Sequence, residues 1–461
     1  MKDAKRPGAY VLGLSATGEE LCAASGRIST QKGTALEIFD KSHDPEKNAS
    51  LIGKVTRSGH TSTLEHCFYN LAFSNVSVVV EQFMIEFRLA SFTVQSRRYV
   101  DFADCGYHVP EFKSDIAEKK YIKHMDGLFA LYQKLTNAGI PKEDARFVLP
   151  YCFRSNFFCS LNARELLNVL RSMIYGRGSK YPELKKIGTE LYEQCKELTP
   201  GVFSDFEKKY EGTVDFADFS FIKADCSLSS ERRTSLLSAT PNAEKVIARA
   251  ALLESTGLGT QQIESIISDS GNVDKILDGV FGSSRPRALE QAQFSFLLTG
   301  MSLACLTHLT RHRMQSLLIP EINTCDRTKF IVPESIKAGG GLLAEYEAAF
   351  AETARLYGEL KALGEDENDL VYVLLAGNTI DVVSAMNARE LLLFFRLRSC
   401  TRAQWEIQNH ANEMLSELKK AAPSLFRHYG PSCFVSGRCP EGRFSCGRVD
   451  EMREKYSSDE V

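Results

Sequence analysis

Leu64-Glu65 recurs as Leu289-Glu290, Ser77 as Ser302, Arg88 as Arg313, Ser91 as Ser316, and Asn162-Ala-Arg-Glu-Leu-Leu167 as Asn387-Ala-Arg-Glu-Leu-Leu392, all at one constant offset of 225 in the numbering. Upstream, Leu14-Ser-Ala-Thr17 recurs as Leu237-Ser-Ala-Thr240 and Ser29-Thr30 as Ser255-Thr256, at offsets of 223 and 226 that small loop insertions explain. The period of a repeat sets the folding unit, so the chain is a duplicated domain. Two copies of one ancestral site can then be compared residue by residue within one molecule. At 461 residues the chain is too long for a single core, and two domains of about 230 residues each fall at the upper end of the usual range. The expected division is repeat one over 1–228, repeat two over 229–430, and a C-terminal tail over 431–461.

Composition narrows the function classes. Apolar residues make up 43% and charged residues 25%, as in an ordinary globular protein, and the net charge is -3. Such a balance gives no general pull toward nucleic acid or an anionic membrane, so any anion site has to come from locally placed arginines. The N-terminal Met1-Lys-Asp-Ala-Lys-Arg-Pro7 lacks the apolar segment of a signal peptide, and no stretch approaches a transmembrane helix. Thirteen scattered cysteines read as reduced, buried thiols of a cytoplasmic protein.

Apolar residues at helical spacing from Ala388 to Lys420 (Leu391, Phe394, Phe395, Ala403, Ile407, Ala411, Leu415, Leu418), ended by Pro423, predict one long amphipathic helix. Its repeat-one counterpart meets Gly176 and Gly178 and should break after about three turns. The apolar runs 76–88 and 301–313 are read as helices, and the polar segment 227–233 as a short connection.

Arg311-His312-Arg313 closes the second of those runs. Cationic side chains at a helix C-terminus complement its dipole; arginine forks also grip anionic oxygens in pairs. The second reading gains from the company: Ser316 follows, Glu290 precedes, and Asn387-Ala-Arg389 and Arg398 lie downstream. In repeat one, Gly59-His60-Thr-Ser62-Thr-Leu-Glu65-His66 is a related element, and in repeat two Leu397-Arg398 is followed by Ala403-Gln404-Trp405-Glu406-Ile407. With these elements in this order over nearly its whole length, the chain resembles a tandem duplication of the flavin-dependent thymidylate synthase family.

The signature that carries the resemblance is divided between the copies. Repeat two keeps Arg311-His312-Arg313 and Ser316 but has Glu321 and Asn323 where a second Ser and a last Arg belong. Repeat one keeps Ser91, Ser96 and Arg98, while its Arg-His-Arg has become Glu86-Phe87-Arg88. Downstream, the nucleotide-binding Arg is Arg146 in repeat one and Val371 in repeat two, and the Arg that faces the uracil ring is Arg398 in repeat two and Met173 in repeat one.

The resemblance implies an α+β fold, helices packed on a mixed or antiparallel sheet in each copy, and a homodimer that rebuilds a pseudo-tetramer. It implies reductive methylation of dUMP to dTMP, with FAD as cofactor and NADPH and methylenetetrahydrofolate as cosubstrates. Ser96, Arg98 and Arg146 would bind the dUMP phosphate, and Arg398 would be catalytic at the uracil carbonyls. Arg311, His312 and Arg313 would contact FAD, with Asn387, Arg389, Asn162, Arg164, Asn168, Ser29 and His60 as further flavin-side candidates. A working site would join the Ser96/Arg98 loop to Arg311-His312-Arg313, leaving the reciprocal site dead. Small-molecule substrates are the expected partners, with neither nucleic acid nor membrane.

Simpler readings stand beside these. Asn162 with Glu165 and Asn387 with Glu390 have capping-box spacing, which leaves Arg164 and Arg389 unexplained. His60 fits a buried structural histidine as well as a ligand contact, and Ser96 has no identifiable general base to make it a nucleophile. His308 stands where the family has a nucleotide-contacting Gln, which keeps open the same chemistry on another pyrimidine nucleotide; a non-catalytic flavin- or nucleotide-binding relative is the third reading. Cys433, Cys439 and Cys446 are spaced more widely than zinc pairs, so no metal is expected and the tail is read as mobile with free thiols.

Overall fold

The computed structural model describes residues 6–213, 215–217, 219 and 233–458. The connection read over 227–233 lies, apart from Arg233, outside the described residues. Two compact units form, one from the described residues of Met1–Asp225 together with Val332–Ala376, the other from those of Cys226–Ile331 and Gly377–Val461. Compactness and repeat therefore do not coincide. The segment 332–376 is second-copy by sequence and packs with the first copy.

Each unit is α+β around a four-stranded antiparallel sheet. The first holds β1 (Gly8–Leu14), β2 (Phe68–Ser77), β3 (Ser91–Val94) and β4 (Arg154–Asn162) in the order β1-β2-β4-β3; the second holds β5 (Thr234–Ala239), β6 (Gln293–Ser302), β7 (Ser316–Leu318) and β8 (Thr379–Asn387) in the order β5-β6-β8-β7. The period of the repeat holds at the level of register. Phe68 pairs with Asn162 as Gln293 pairs with Asn387, and the ladder slips between Phe73 and Val76 as it does between Leu298 and Met301. At the slip Asn75 and Gly300 sit at φ +52 and +64, the left-handed region that Asn and Gly tolerate best. Their N–H groups leave the ladder and donate to Asn156 Oδ1 (2.9 Å) and Asp381 Oδ1 (2.7 Å), themselves equivalent positions. One β-bulge design thus survives in both copies and aims the end of β2 and β6.

Along β2, Tyr69, Leu71 and Phe73 are buried, and along β6 Phe294, Phe296 and Leu298, the alternation expected of a sheet with one covered face. The helices of the two units include, in chain order, α1 (Glu20–Ile28), α2 (Val78–Ile85), α3 (Asp115–Asn137), α4 (Ala163–Ile174), α5 (Pro182–Leu198), α6 (Leu303–Leu309), α7 (Leu342–Ala362), α8 (Ala388–Arg398) and α9 (Trp405–Ala421). Each large apolar side chain so buried contributes about 1.5–3 kcal/mol.

Three sequence expectations are corrected here. The runs 76–88 and 301–313 are not helical throughout: a strand ends at Ser77 or Ser302, whose hydroxyl accepts the N–H of Val80 (3.4 Å) or Cys305 (3.0 Å) and starts a short helix. The single helix expected over 388–420 is two. Ser399 Oγ turns back onto Phe395 O (2.6 Å), and Gln404 Oε1 accepts the Ile407 N–H (3.0 Å) to begin α9, so both copies break at the same place. As far as Ser458 the C-terminal tail is packed rather than mobile: α10 (Ser432–Ser436) and α11 (Val449–Ser457) follow α9, and buried Tyr456 donates to Ser399 O (3.0 Å) and Asn412 Oδ1 (2.8 Å).

Among the described residues no helix is long and apolar enough to cross a membrane, and no group of three or more His, Cys, Asp or Glu is placed to hold a metal ion.

Candidate functional site

Both short helices after the bulge are held at their first turn by a buried carboxylate. Glu183 accepts the Ser77 N–H (3.0 Å) and the Tyr372 hydroxyl (3.0 Å); Glu406, its counterpart in the second copy, accepts the Ser302 N–H (2.7 Å) and its hydroxyl (2.5 Å). A buried carboxylate is tolerated only when hydrogen-bonded in this way. The two helices then deliver different chemistry.

In the second unit α6 ends at Leu309, and Arg311, His312 and Arg313 lie in the turn beyond it. Arg311 and Arg313 are exposed, whereas His312 is buried against the Phe394 ring (4.9 Å between centroids). His312 Nδ1 lies 3.3 Å from Glu390 Oε1, and Arg398 Nε donates to His312 Nε2 at 2.9 Å. The Arg398 contact makes Nε2 an acceptor, which puts the proton on Nδ1, toward the carboxylate. Burial pushes the His312 pKa down, against the pull of Glu390, and the Arg398 charge pushes the same way. A neutral imidazole thus connects Glu390 to Arg398.

The equivalent atoms of the first unit form no such chain. Phe87 replaces His312 and Met173 replaces Arg398, both buried. Glu165, the counterpart of Glu390, is hydrogen-bonded to Asn168 and the Leu89 backbone and has its pKa raised by burial. Glu86, in the place of Arg311, pairs with Arg177 (2.6 Å), whose guanidinium lies over Phe83 (4.6 Å).

The first unit has a polar network of its own, under the Ser96–Arg98 turn. Buried Arg97 pairs with buried Glu81, which also accepts from Ser155 Oγ, and Arg97 lies 5.0 Å over the Phe153 ring. Moving Glu81, Arg97 and Ser155 forward by the repeat offset gives Leu306, Ile322 and Ile380. This trio was not singled out from the sequence, although its joint replacement by apolar residues was there to be seen. Above it, Ser96 Oγ accepts the Arg98 N–H (3.3 Å), Arg98 pairs with Glu143, and buried Arg146 donates through Nε to Glu143 O (3.0 Å). Arg98 and Arg146 therefore share a partner, Glu143, the first at its carboxylate and the second at its backbone carbonyl.

The remaining candidates are placed as follows. Asn162 and Asn387 are helix caps, accepting the N–H of Glu165 (2.9 Å) and Glu390 (2.8 Å). The reciprocal half of the expected capping box is absent, because both glutamates are engaged elsewhere. Arg164 pairs with Glu65 (2.6 Å) and Arg389 with Glu290 (2.5 Å) on the surface, which gives the arginines a structural partner in each copy. Asn168 is exposed one turn beyond Arg164. Ser29 is exposed at the end of α1 with its hydroxyl on Gly26 O (3.3 Å), and His60 is exposed rather than buried. His308 is buried within α6.

The sequence profile of the family described as Thymidylate synthase complementing protein matches residues 11–201 and again 235–424. The chain belongs to this family. It carries the family's domain twice, as single-copy relatives make plain. A flavin-dependent thymidylate synthase of Clostridium tetani is 37% identical over 246 residues, covering 49% of this chain and 96% of that protein. One from Geobacter sulfurreducens is 35% identical, covering 49% of this chain and 97% of that protein. Among solved structures, a UMP/dUMP methylase from Streptomyces cacaoi matches at 19% identity and a TM-score of 0.37, covering 45% of this chain and 96% of that one.

The two copies are unequal, and the inequality is testable through stability. Leaving Arg97 buried without Glu81 is expected to cost about 3–5 kcal/mol, so Glu81→Leu alone should destabilise the first unit strongly in urea unfolding. The triple change Glu81→Leu, Arg97→Ile, Ser155→Ile copies the apolar trio of the other unit and should recover most of that loss.

Acid should act on the second unit. Burial lowers His410, whose Nδ1 lies 3.1 Å from Thr234 Oγ1, to about 4, and lowers His312. Both folded values lie below the ordinary 6.5 or so of an unfolded histidine. As pH falls the unfolded chain takes up these protons first, so the stability they contribute is complete above about 6.5 and declines below it, the His410 share being lost toward about 4. His410 alone accounts for on the order of 3 kcal/mol. His410→Gln should flatten the acid limb of the urea-midpoint profile; an unchanged limb would refute the assignment.

Proposed function

We propose that the chain is a flavin-dependent thymidylate synthase whose working sites combine the Ser96–Arg98 turn of the first copy with the Arg311–Arg313 cluster of the second. The observation that carries this reading is the exchange of buried networks. Glu81–Arg97–Ser155 is polar where Leu306, Ile322 and Ile380 are apolar, and Glu390–His312–Arg398 is polar where Phe87 and Met173 are apolar. Decay of one copy would remove both networks from the same unit. Division of labour removes one from each.

The residues present fit a dianionic flavin dinucleotide and a nucleotide monophosphate. Arg311 and Arg313 are exposed cations on either side of a buried histidine, suited to the charge of FAD. When bound, FAD would carry reducing equivalents from NADPH. Arg98 and Arg146 would take the dUMP phosphate, a role in which arginine's fork outperforms a point charge. For Arg98 the phosphate has to displace Glu143. Arg398 would stand at the uracil carbonyls and stabilise negative charge that develops as C5 becomes nucleophilic toward the one-carbon unit of methylenetetrahydrofolate. Neutral His312 serves Arg398 as an acceptor, fixing the plane of the guanidinium without adding a competing charge. Asn162, Asn387, Arg164 and Arg389 would act from the cap positions where they already have partners, with Asn168, Ser29 and His60 as exposed flavin-side contacts of the first unit. The active assembly would be a homodimer.

His308, buried where the family has Gln, favours a second reading in which another pyrimidine nucleotide is methylated. Purified protein should show a bound-flavin spectrum and NADPH oxidation stimulated by dUMP, and the gene should rescue a thymidine-requiring cell. Stimulation by a different pyrimidine nucleotide alone would select the second reading, and a flavin-free, inert protein would end both.

A further inference from the structure

Within the first unit the chain meets its own repeat. Carried forward by the repeat offset, α3 falls on α7, with Tyr121 on Tyr346, Leu131 on Leu356, Tyr132 on Tyr357 and Leu135 on Leu360. The turn that follows pairs reciprocally. Tyr151 N–H donates to Leu374 O (2.7 Å), Ala376 N–H donates to Leu149 O (3.0 Å), and Pro150 bridges Leu375, its own equivalent. Contacts in which i meets the counterpart of j and j meets the counterpart of i are isologous, the mark of a twofold interface between like segments.

Along the helices the same rule places two ion pairs. Lys120 Nζ meets Glu359 (2.6 Å) and Lys134 Nζ meets Glu345 (2.5 Å). Glu345 is the counterpart of Lys120, and Glu359 that of Lys134. Between two identical helices each position would face a copy of the other, lysine against lysine or glutamate against glutamate. Here both positions are basic in α3 and both acidic in α7. Beyond the end of α7, Lys113 adds its N–H to Glu365 Oε2 (2.9 Å) and its ammonium to Gly364 O (2.7 Å).

We propose that this seam is an interaction surface coded by charge for unlike helices. The face of α3 fits a helix with acids at the positions of its own lysines, which is α7, and rejects a second α3; the face of α7 likewise rejects a second α7. The pairs are half-exposed and add little to stability by themselves. Their effect lies in discrimination, because a like pairing loses both attractions and gains two repulsions. A duplicated chain needs such a rule, since α3 of one molecule would otherwise compete with α7 for α3 of the next. The inference is independent of the reading of the site.

The test uses the full-length protein and hydrogen exchange of peptides spanning 115–137 and 342–362 at low salt. Lys120→Glu with Lys134→Glu, and separately Glu345→Lys with Glu359→Lys, should each speed exchange in both helices on the order of tenfold. The quadruple swap should return exchange close to the original rate, and a salt concentration of about 1 M should shrink the differences. Lys120→Glu rescued by Glu359→Lys gives the same comparison with a milder disturbance. A quadruple or paired swap that exchanges as fast as its unrescued parent, or unrescued variants that exchange at the original rate, would overturn the proposal.

Discussion

Arg398→Ala should lower turnover by about a hundredfold to a thousandfold, while Met173→Ala, at the equivalent position of the other copy, should leave most of it. The asymmetry follows from what each side chain touches. Arg398 is held through Nε by His312 at 2.9 Å, and His312 by Glu390 at 3.3 Å, so its charge is fixed in place before any substrate arrives. Preorganised donors of this kind are worth about 3–4 kcal/mol each when charge develops in the transition state. Met173 is fully buried packing, and its truncation costs stability through a cavity but removes no charge. Arg398→Lys should recover little, because lysine has neither the fork nor the Nε donor that His312 accepts. Steady-state kinetics with dUMP measures the contrast. Equal loss from Arg398→Ala and Met173→Ala would contradict two classes of site.

Arg311→Glu should weaken flavin binding at least a hundredfold. The substitution recreates in the second unit what the first unit already has at Glu86. A unit charge pair about 4 Å apart is worth about 4 kcal/mol at an effective dielectric of about 20, and reversing one charge turns attraction into comparable repulsion. Exposure of Arg311 to water reduces this, and a hundredfold loss is the part that survives. The converse change, Glu86→Arg, should not create a second flavin site. Phe87 and Met173 stay apolar, and Arg177 loses its carboxylate partner and faces a new positive charge. Flavin content per chain after dialysis separates these outcomes: near zero for Arg311→Glu, unchanged for Glu86→Arg.

Most of the fold was legible because a repeat carries its own control. The constant offset read from the sequence also relates β2 to β6, β4 to β8, and the bulge at Asn75 to that at Gly300, although neither strand nor bulge was read from the sequence. Helix periodicity over-reached where side-chain capping decides the outcome. Nothing in the apolar spacing of 388–420 shows that Ser399 and Gln404 will close one helix and open another. The swap of 332–376 into the first unit was invisible for a related reason: α3 and α7 are repeats of one helix, and contacts between residues far apart in sequence, such as Lys120 with Glu359 and Lys134 with Glu345, place α7 in that unit. In the site, the Arg-His-Arg cluster stood out as a concentration of charge at the end of an apolar run, whereas the role expected of Arg398 came from the family resemblance. Glu390 was taken for half of a capping box because i, i+3 spacing is all a sequence shows; its partner His312 is 78 residues away. The Glu81–Arg97–Ser155 network was missed for the same reason.

The claim that working pockets form only where the two copies' specialised halves combine is tested most directly by counting ligands. Equilibrium titration of the purified full-length protein with FAD, and then of the flavin-loaded protein with dUMP, should saturate at one of each per chain. Two of each per chain would show that both copies make complete sites and would contradict the account.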